Sequence, residues 1–205
     1  MKIRIILAAA VCMIAASCMK DKLETTYSKQ ETQIDAYIAK NMVVKRDSTR
    51  MDVTPNTEDP TKNDTTYVKV QWQDTLNVEY NKGAARLIKK EGTGERLTEK
   101  GAVSFHYAGY IFTTQPSTLF ATNDEQTAKG ANLNLTDAEY VLFEADMTDI
   151  HLVEGLRNGL LGVRTGEECE IIFSGKYGFG NEIFGTIPVN SALLYKIWDI
   201  TVSNE

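Results

Sequence analysis

The chain has 205 residues, 42% hydrophobic and 24% charged, enough for one packed domain with appended segments. Its 28 acidic against 22 basic residues give a net charge of −6, without the positive footprint of a nucleic-acid binder. Of three cysteines only Cys169 lies beyond residue 18, so no internal disulfide is available to the body and stability must come from an ordinary core.

The first element reads as an export signal. Lys2 and Arg4 precede an apolar run over residues 5–16, the length of a secretory leader's core and too short to cross a bilayer. The run closes on Ala15-Ala16-Ser17-Cys18, which resembles the bacterial lipobox. That resemblance implies removal of residues 1–17 as a lipoprotein signal peptide and acylation of Cys18, with several lipid chains giving a lasting membrane anchor. Loss of Lys2 and Arg4 lowers the basic count from 22 to 20 and the net charge from −6 to −8. No run of acids follows Cys18, and the expected location is the bacterial cell envelope, on the periplasm-facing side of the outer membrane.

Residues 18–80 are expected to form a helix, a linker and a first strand. Over residues 28–42 the spacing of Ile34, Ala36, Tyr37 and Ile38, with Val43 beyond, predicts an amphipathic helix, and Ser28 with Glu31 resembles a capping box. Residues 44–66 are rich in Asp, Thr, Asn, Lys and Pro and hold little that could be buried, which predicts a linker or loose loop. Three tripeptides at 47–49, 64–66 and 74–76 match a bacterial O-glycosylation pattern, as a Thr-rich tract does by chance. From Tyr67 the alternation of Val68, Val70 and Trp72 with polar residues predicts a strand.

Residues 81–205 are expected to form the main domain. Residues 85–90 read as a strand stopped by Gly92-Thr93-Gly94, and after Lys100-Gly101 a second strand places Val103, Phe105 and Tyr107 on one face. Between Leu152 and Leu161 the spacing becomes helical, with Leu152, Val153, Leu156, Leu160 and Leu161 on one side. Cys169, Ile171 and Phe173 alternate in a further strand. The last strand sets Leu193, Tyr195 and Ile197 against Leu194, Trp198 and Ile200, and the second set is too apolar to face water. A cover is expected from the N-terminal helix or from the strand with Trp72.

Four segments in order resemble the FKBP-type peptidyl-prolyl cis-trans isomerase family. They are Gly92-Thr93-Gly94 with Lys100-Gly101 and residues 103–109; residues 152–156 followed by 162–167; Tyr177-Gly178-Phe179-Gly180; and residues 187–193. The resemblance implies an α+β fold, a curved antiparallel sheet wrapped around a short α-helix, with an apolar pocket between them. Carried over position by position, the reacting wall would be Tyr107, Phe120, Val153, Ile187 and Tyr195. Leu152, Leu156 and Phe179 would hold substrate, with Phe143 from a segment that aligns poorly.

Such a pocket fits the reaction the family performs. Rotation about a peptide bond faces a barrier of about 18–20 kcal/mol from amide resonance, and an X–Pro bond takes tens to hundreds of seconds to exchange. Lowering it needs an apolar surface that holds proline, favours the twisted amide and keeps water from its carbonyl. No cofactor and no metal is implied, and His106 and His151 read as structural or surface residues. The implied partners are proline-containing segments of exported proteins and, through Cys18, a membrane. The chain departs from the family in three places. Ala121 follows the pocket Phe where members commonly have Asp, Phe179 replaces a tyrosine, and Leu156 stands where many carry a larger aromatic. The segment between Phe120 and Leu152 also reads as a longer, inserted flap. Two functions remain open: a working isomerase, or a degenerate module that holds peptide or protein without turnover.

Overall fold

The computed structural model describes residues 2–59, 61–134, 136 and 139–204, with side chains from residue 21 onward. The side chain of Cys18, and with it the expected acylation site, lies outside the described residues. Helix α1 spans Lys2–Asn41, so it does not begin at Ser28. No Gly or Pro interrupts residues 2–41, so nothing in the backbone stops the helix before the chain turns at Met42. Ser28 is therefore an interior residue rather than a cap, and Val43 opens the next strand instead of completing the helical stripe. Among the described residues no helix is long and apolar enough to cross a membrane.

The tract expected to be a loose linker is ordered. Strands β1 (Val43–Pro55) and β2 (Asn63–Thr75) pair antiparallel along their full length, from Val43 opposite Thr75 to Pro55 opposite Asn63. At the tip the Asn56 carboxamide accepts from the backbone N–H groups of Glu58 and Asp59 at 2.8 and 2.9 Å. Each strand of this ribbon pairs the N–H and C=O groups of one edge with its partner and leaves the other edge to water, so the pairing goes with little apolar burial. Composition forecast the exposure but not the pairing. Trp72 accordingly stays 49% exposed under the Arg46 guanidinium and covers nothing.

The main sheet contains β3 (Val78–Asn81), β4 (Ala84–Lys90), β5 (Ala102–Phe112), β6 (Pro116–Thr122), β7 (Phe143–Asp146), β8 (Glu168–Phe173) and β9 (Ala192–Ser203). They run antiparallel in the order β3-β4-β8-β9-β5-β6, with β7 added to β5. Helices α2 (Glu125–Gly130) and α3 (Glu154–Leu160) complete the described regular elements, apart from one short 3-10 turn. This is the curved antiparallel sheet around a short helix that the sequence implies.

Helix α3 lies directly on β8. A Cβ at Gly155 would come within 2.2 Å of the Phe173 ring, and one at Gly159 within 2.2 Å of Ile171, so only glycine permits this approach. Leu152, Leu156 and Leu160 then share one core with Phe105, Ile171, Phe173, Leu193, Tyr195 and Ile197 on the sheet's inner face. The helix is fixed from behind by Arg86, which is 2% exposed. Its Nη1 donates to the carbonyls of Gly159 and Leu161, both at 2.8 Å, while its Nη2 meets Glu79 at 2.6 Å. Glu167, equally buried, lies 3.1 Å from the Arg86 Nε at an angle unsuited to a hydrogen bond, so this contact is Coulombic. Burial pushes the Glu167 carboxyl up and the Arg86 charge opposes that shift.

The outer face of the sheet is covered by α1. Ile34 and Ile38 pack on Ala85, Phe112, Ile172, Ala192 and Leu194, and Tyr37 meets Phe112 edge-on at 5.3 Å. Leu194 thus has the cover expected of the N-terminal helix. Trp198 and Ile200 do not follow it. Asp199 takes φ 53°, and the pairing of β5 with β9 shifts register between Ser104 and His106. This bulge turns Ile200 into the inner core and leaves Trp198 half-buried, stacked on His106 at 6.2 Å.

The two appended elements should therefore contribute very differently to stability. Ile38→Ala removes a fully buried side chain and should destabilise by about 2–5 kcal/mol. Replacing residues 44–74 with a Gly-Gly turn should move the melting temperature by no more than a few degrees, because the Leu76 N–H already donates to the Met42 carbonyl at 2.7 Å. Thermal unfolding followed by circular dichroism compares them, and a large loss on removing the ribbon alone would contradict this packing.

Candidate functional site

Strand alternation aims the site inward. Phe105 and Tyr107 stand on the concave face of β5, and the next residue on that face is Gly109. A Cβ there would meet the Phe120 ring at 2.6 Å, so the missing side chain lets Phe120 of β6 lie across β5. Phe120 meets Tyr195 of β9 edge-on at 5.6 Å, and Tyr107 lies 6.1 Å from Tyr195 and 5.8 Å from Phe143 of β7. The start of α3 supplies Leu152, Val153 and Leu156, and the loop over residues 174–191 supplies Phe179 and Ile187. All nine residues singled out in the sequence line one cavity of about 690 Å³.

The cavity has further walls that sequence reasoning missed. Phe105 is its fully buried back wall, tilted against Phe143 at 5.4 Å. Alternation already placed Phe105 beside Tyr107, and that was the available signal. Phe184 and Thr186 come from the loop, where Phe184 stacks flat on Phe179 at 4.4 Å. An apolar Ile183-Phe184 pair in a Gly-rich loop was the only hint. Asp149 and His151 reach the rim, His151 from an exposed position.

Asn123 was read only as part of an inserted stretch, yet it is buried and pins the wall. Its Oδ1 accepts from the Tyr107 N–H at 2.7 Å, and its Nδ2 donates to the carbonyls of Phe105 at 3.1 Å and Val141 at 2.7 Å. The Thr122 hydroxyl donates to the Tyr107 carbonyl at 2.6 Å. These bonds fix Tyr107 on one side and the approach to β7 on the other, so the segment after Phe120 carries Phe143 to the pocket. Asp124 caps α2 by accepting from the Thr127 N–H at 2.8 Å, which gives that helix a defined start.

Several donors on the cavity wall have no partner among the described residues. Neither the Tyr107 nor the Tyr195 hydroxyl has a hydrogen-bond partner, and the Val153 N–H, just ahead of α3, has no acceptor. Burial pushes both phenols up from their ordinary value, and for Tyr195 the neighbouring Tyr107 adds to the shift. Both stay protonated donors at neutral pH. The result is an apolar chamber with a few hydrogen-bond donors, suited to holding a prolyl ring and receiving a carbonyl oxygen. The departures fall on its polar side. Ala121 lines the wall without offering a charge, Phe179 offers a ring without a hydroxyl, and Leu156 leaves an aliphatic floor.

The family model for the FKBP-type peptidyl-prolyl cis-trans isomerase matches residues 94–198. The chain belongs to this family. It is 29% identical over 111 residues to FK506-binding protein 1A of Neurospora crassa, covering 53% of this chain and 79% of the relative. Over 115 residues it is 24% identical to FK506-binding protein 1 of Aspergillus oryzae, covering 56% of this chain and 94% of that one. Its fold is similar to the three FKBP domains of wheat FKBP73, with a TM-score of 0.51 and 17% identity over 69% of this chain and 56% of that chain. Helix α1 and the β1–β2 ribbon precede the matched residues, so the FKBP-type domain carries them as additions.

Because the donors of this domain are phenols with raised pKa values, binding should tolerate alkali. A group raised in the folded state keeps its protonated form until the pH passes that raised value. Affinity for a proline peptide should hold between about pH 8 and pH 10, where an ordinary tyrosine begins to ionise. Titration of peptide fluorescence across that range checks it, and a midpoint near 10 would count against the tyrosine donors.

Proposed function

We propose that this chain is a working peptidyl-prolyl isomerase that assists the folding of exported proteins at the bacterial envelope. The observation that carries the reading is the chamber itself. Tyr107, Phe120, Val153, Ile187 and Tyr195 converge on one apolar cavity with unspent donors at its wall. A prolyl ring seated there leaves its preceding carbonyl within an environment poor in water and supplied with N–H and O–H groups. The planar amide is the more strongly hydrated and resonance-stabilised form, so such a site favours the twisted one and lowers the barrier. Leu152, Leu156, Phe143 and Phe179 serve substrate binding in this reading.

A second reading is favoured by specific side chains. Ala121 supplies no carboxylate to the wall, and the Phe179 ring is committed to stacking on Phe184. A chamber with its shape kept and its charge removed also suits a module that holds proline segments without turnover. The exchange rate of an X–Pro test peptide with residues 19–205 separates the two, with Tyr107→Ala and Ala121→Asp alongside. A working isomerase accelerates exchange, loses that in Tyr107→Ala, and gains about tenfold in Ala121→Asp, the lower end for a hydrogen bond to a charged group. Peptide binding with no acceleration in any variant would make the holding module the correct reading.

The location rests on the leader and the lipobox resemblance at Cys18. Acylation there would tether the FKBP-type domain to the membrane while the part of α1 that covers the sheet, and the sheet itself, stay in the aqueous compartment. In a bacterial host the unaltered chain should sediment with membranes, and Cys18→Ser should release it or leave it uncleaved. Equal sedimentation of a cleaved, unaltered-size Cys18→Ser chain would exclude the lipid anchor.

A further inference from the structure

The loop over residues 174–191 brings Phe179, Phe184 and Ile187 to the pocket, yet its only regular element is a 3-10 turn at Gly175–Tyr177. Its ends meet at one point. Gly175 lies so close to Asn190 that a Cβ on it would stand 2.4 Å from the Asn190 carbonyl oxygen. The Asn190 N–H donates to the Gly180 carbonyl at 2.6 Å, and the Gly180 N–H donates to the Gly175 carbonyl at 3.2 Å. Residues 175, 180 and 190 thus form the loop's base. Asn190 itself takes φ 55°, a conformation that needs support from its surroundings.

Three polar groups of this base are taken by α1. Gln30 accepts from the Gly175 N–H through Oε1 at 2.9 Å and donates from Nε2 to the Asn190 carbonyl at 2.7 Å. Tyr27, one turn earlier, donates its hydroxyl to the Asn190 Oδ1 at 2.7 Å. A primary amide both accepts and donates, so one side chain ties the two ends of the loop together. Docking of the helix on the sheet does not require this, because Ile34 and Ile38 already supply the apolar contact. Gly175 is buried, so without Gln30 its N–H would be left unsatisfied.

We propose that α1 is a positioning element of the pocket: Gln30 and Tyr27 fix the base of the 174–191 loop and thereby set where Phe179, Phe184 and Ile187 stand. The proposal rests on the reading of that cavity as a proline site. Neither Gln30 nor Tyr27 lines the cavity, so both act through the loop and are positioning residues. The polar clamp grips the half of the pocket that the main sheet does not build. Tyr107, Phe120 and Tyr195 stand on strands, and their placement is independent of it.

The test uses the mature chain with Gln30→Ala, Gln30→Glu and the Gln30→Ala/Tyr27→Phe pair, and Ile38→Ala for comparison. Amide hydrogen exchange is read over residues 176–190 and over β8 and β9, and affinity is read with a blocked Ala-Ala-Pro-Phe peptide. Gln30→Ala should speed exchange in the loop while β8 and β9 keep their protection. It should weaken the peptide about threefold to tenfold, the range of one lost hydrogen bond, through KM rather than kcat. Gln30→Glu keeps the acceptor for Gly175 but sets a carboxylate oxygen against the Asn190 carbonyl, so it should also speed exchange in the loop while β8 and β9 keep their protection. Ile38→Ala should lower the melting temperature with no effect confined to the loop.

Unchanged loop exchange in the double variant overturns the proposal, as does an acceleration spread equally over loop and sheet. Loop-specific exchange with unchanged affinity also overturns it, because the loop would then be held without setting the pocket. Failure of the unaltered chain to bind the peptide would instead remove the proline-site reading, and the exchange data alone would still decide whether α1 holds the loop.

Discussion

The structure depends on the contact between α3 and β8, where backbone meets side chain with nothing in between. Gly155 and Gly159 face Phe173 and Ile171, and at both positions a single added carbon would overlap the strand's side chains. That approach fixes the height of the helix above the sheet. The entry to the helix and its first turn then place Leu152, Val153 and Leu156 across the pocket from Tyr107 and Tyr195. Arg86 supports the arrangement at the far end by binding the Gly159 and Leu161 carbonyls. An arginine so deeply buried is tolerable only because carbonyls, Glu79 and Glu167 surround it. Removal of one partner from such a buried set typically costs about 3–5 kcal/mol.

The sheet is used on both faces, for different ends. The inner face carries the helix and the pocket. The outer face of an isolated sheet of this kind would expose Ala85, Phe112, Ile172 and Leu194 to water, and α1 removes them from it. The same helix also reaches the pocket loop through Gln30 and Tyr27. One amphipathic element therefore joins an apolar task, covering the sheet, to a polar one at the loop. The β1–β2 ribbon does neither, and its side chains are largely exposed. Its position between helix and sheet is possible because its two ends lie side by side.

Within the pocket, shape and polar chemistry have separated. The aromatic and aliphatic residues converge on one cavity. The polar groups differ from the family pattern at Ala121 and Phe179, while the Tyr107 and Tyr195 hydroxyls and the Val153 N–H remain among the donors of the wall. Apolar packing tolerates substitution of one hydrophobic residue by another, as Leu156 illustrates. A missing charge cannot be replaced by an apolar side chain in the same way. These few positions therefore bear on the polar chemistry of the wall, while the core around them is held by apolar packing.

The sequence by itself determined the sheet strands that alternate, the short helix at residues 152–161, the family of the domain and the nine residues that meet in the cavity. Periodicity and spacing carry that information because each strand or helix position has a fixed side-chain direction. It also determined that Leu194 needs a cover. Only the tertiary structure decided the rest. The ribbon at residues 43–75 forms through paired backbones, a cause that composition does not record. The turn of Ile200 into the core follows from a bulge at Asp199, which breaks the alternation that placed it outside. Asn123 and Gln30 act through partners 16 to 160 positions away, and no local pattern encodes such distances. What the chain writes locally is direction. What it leaves to folding is which distant groups those directions bring together.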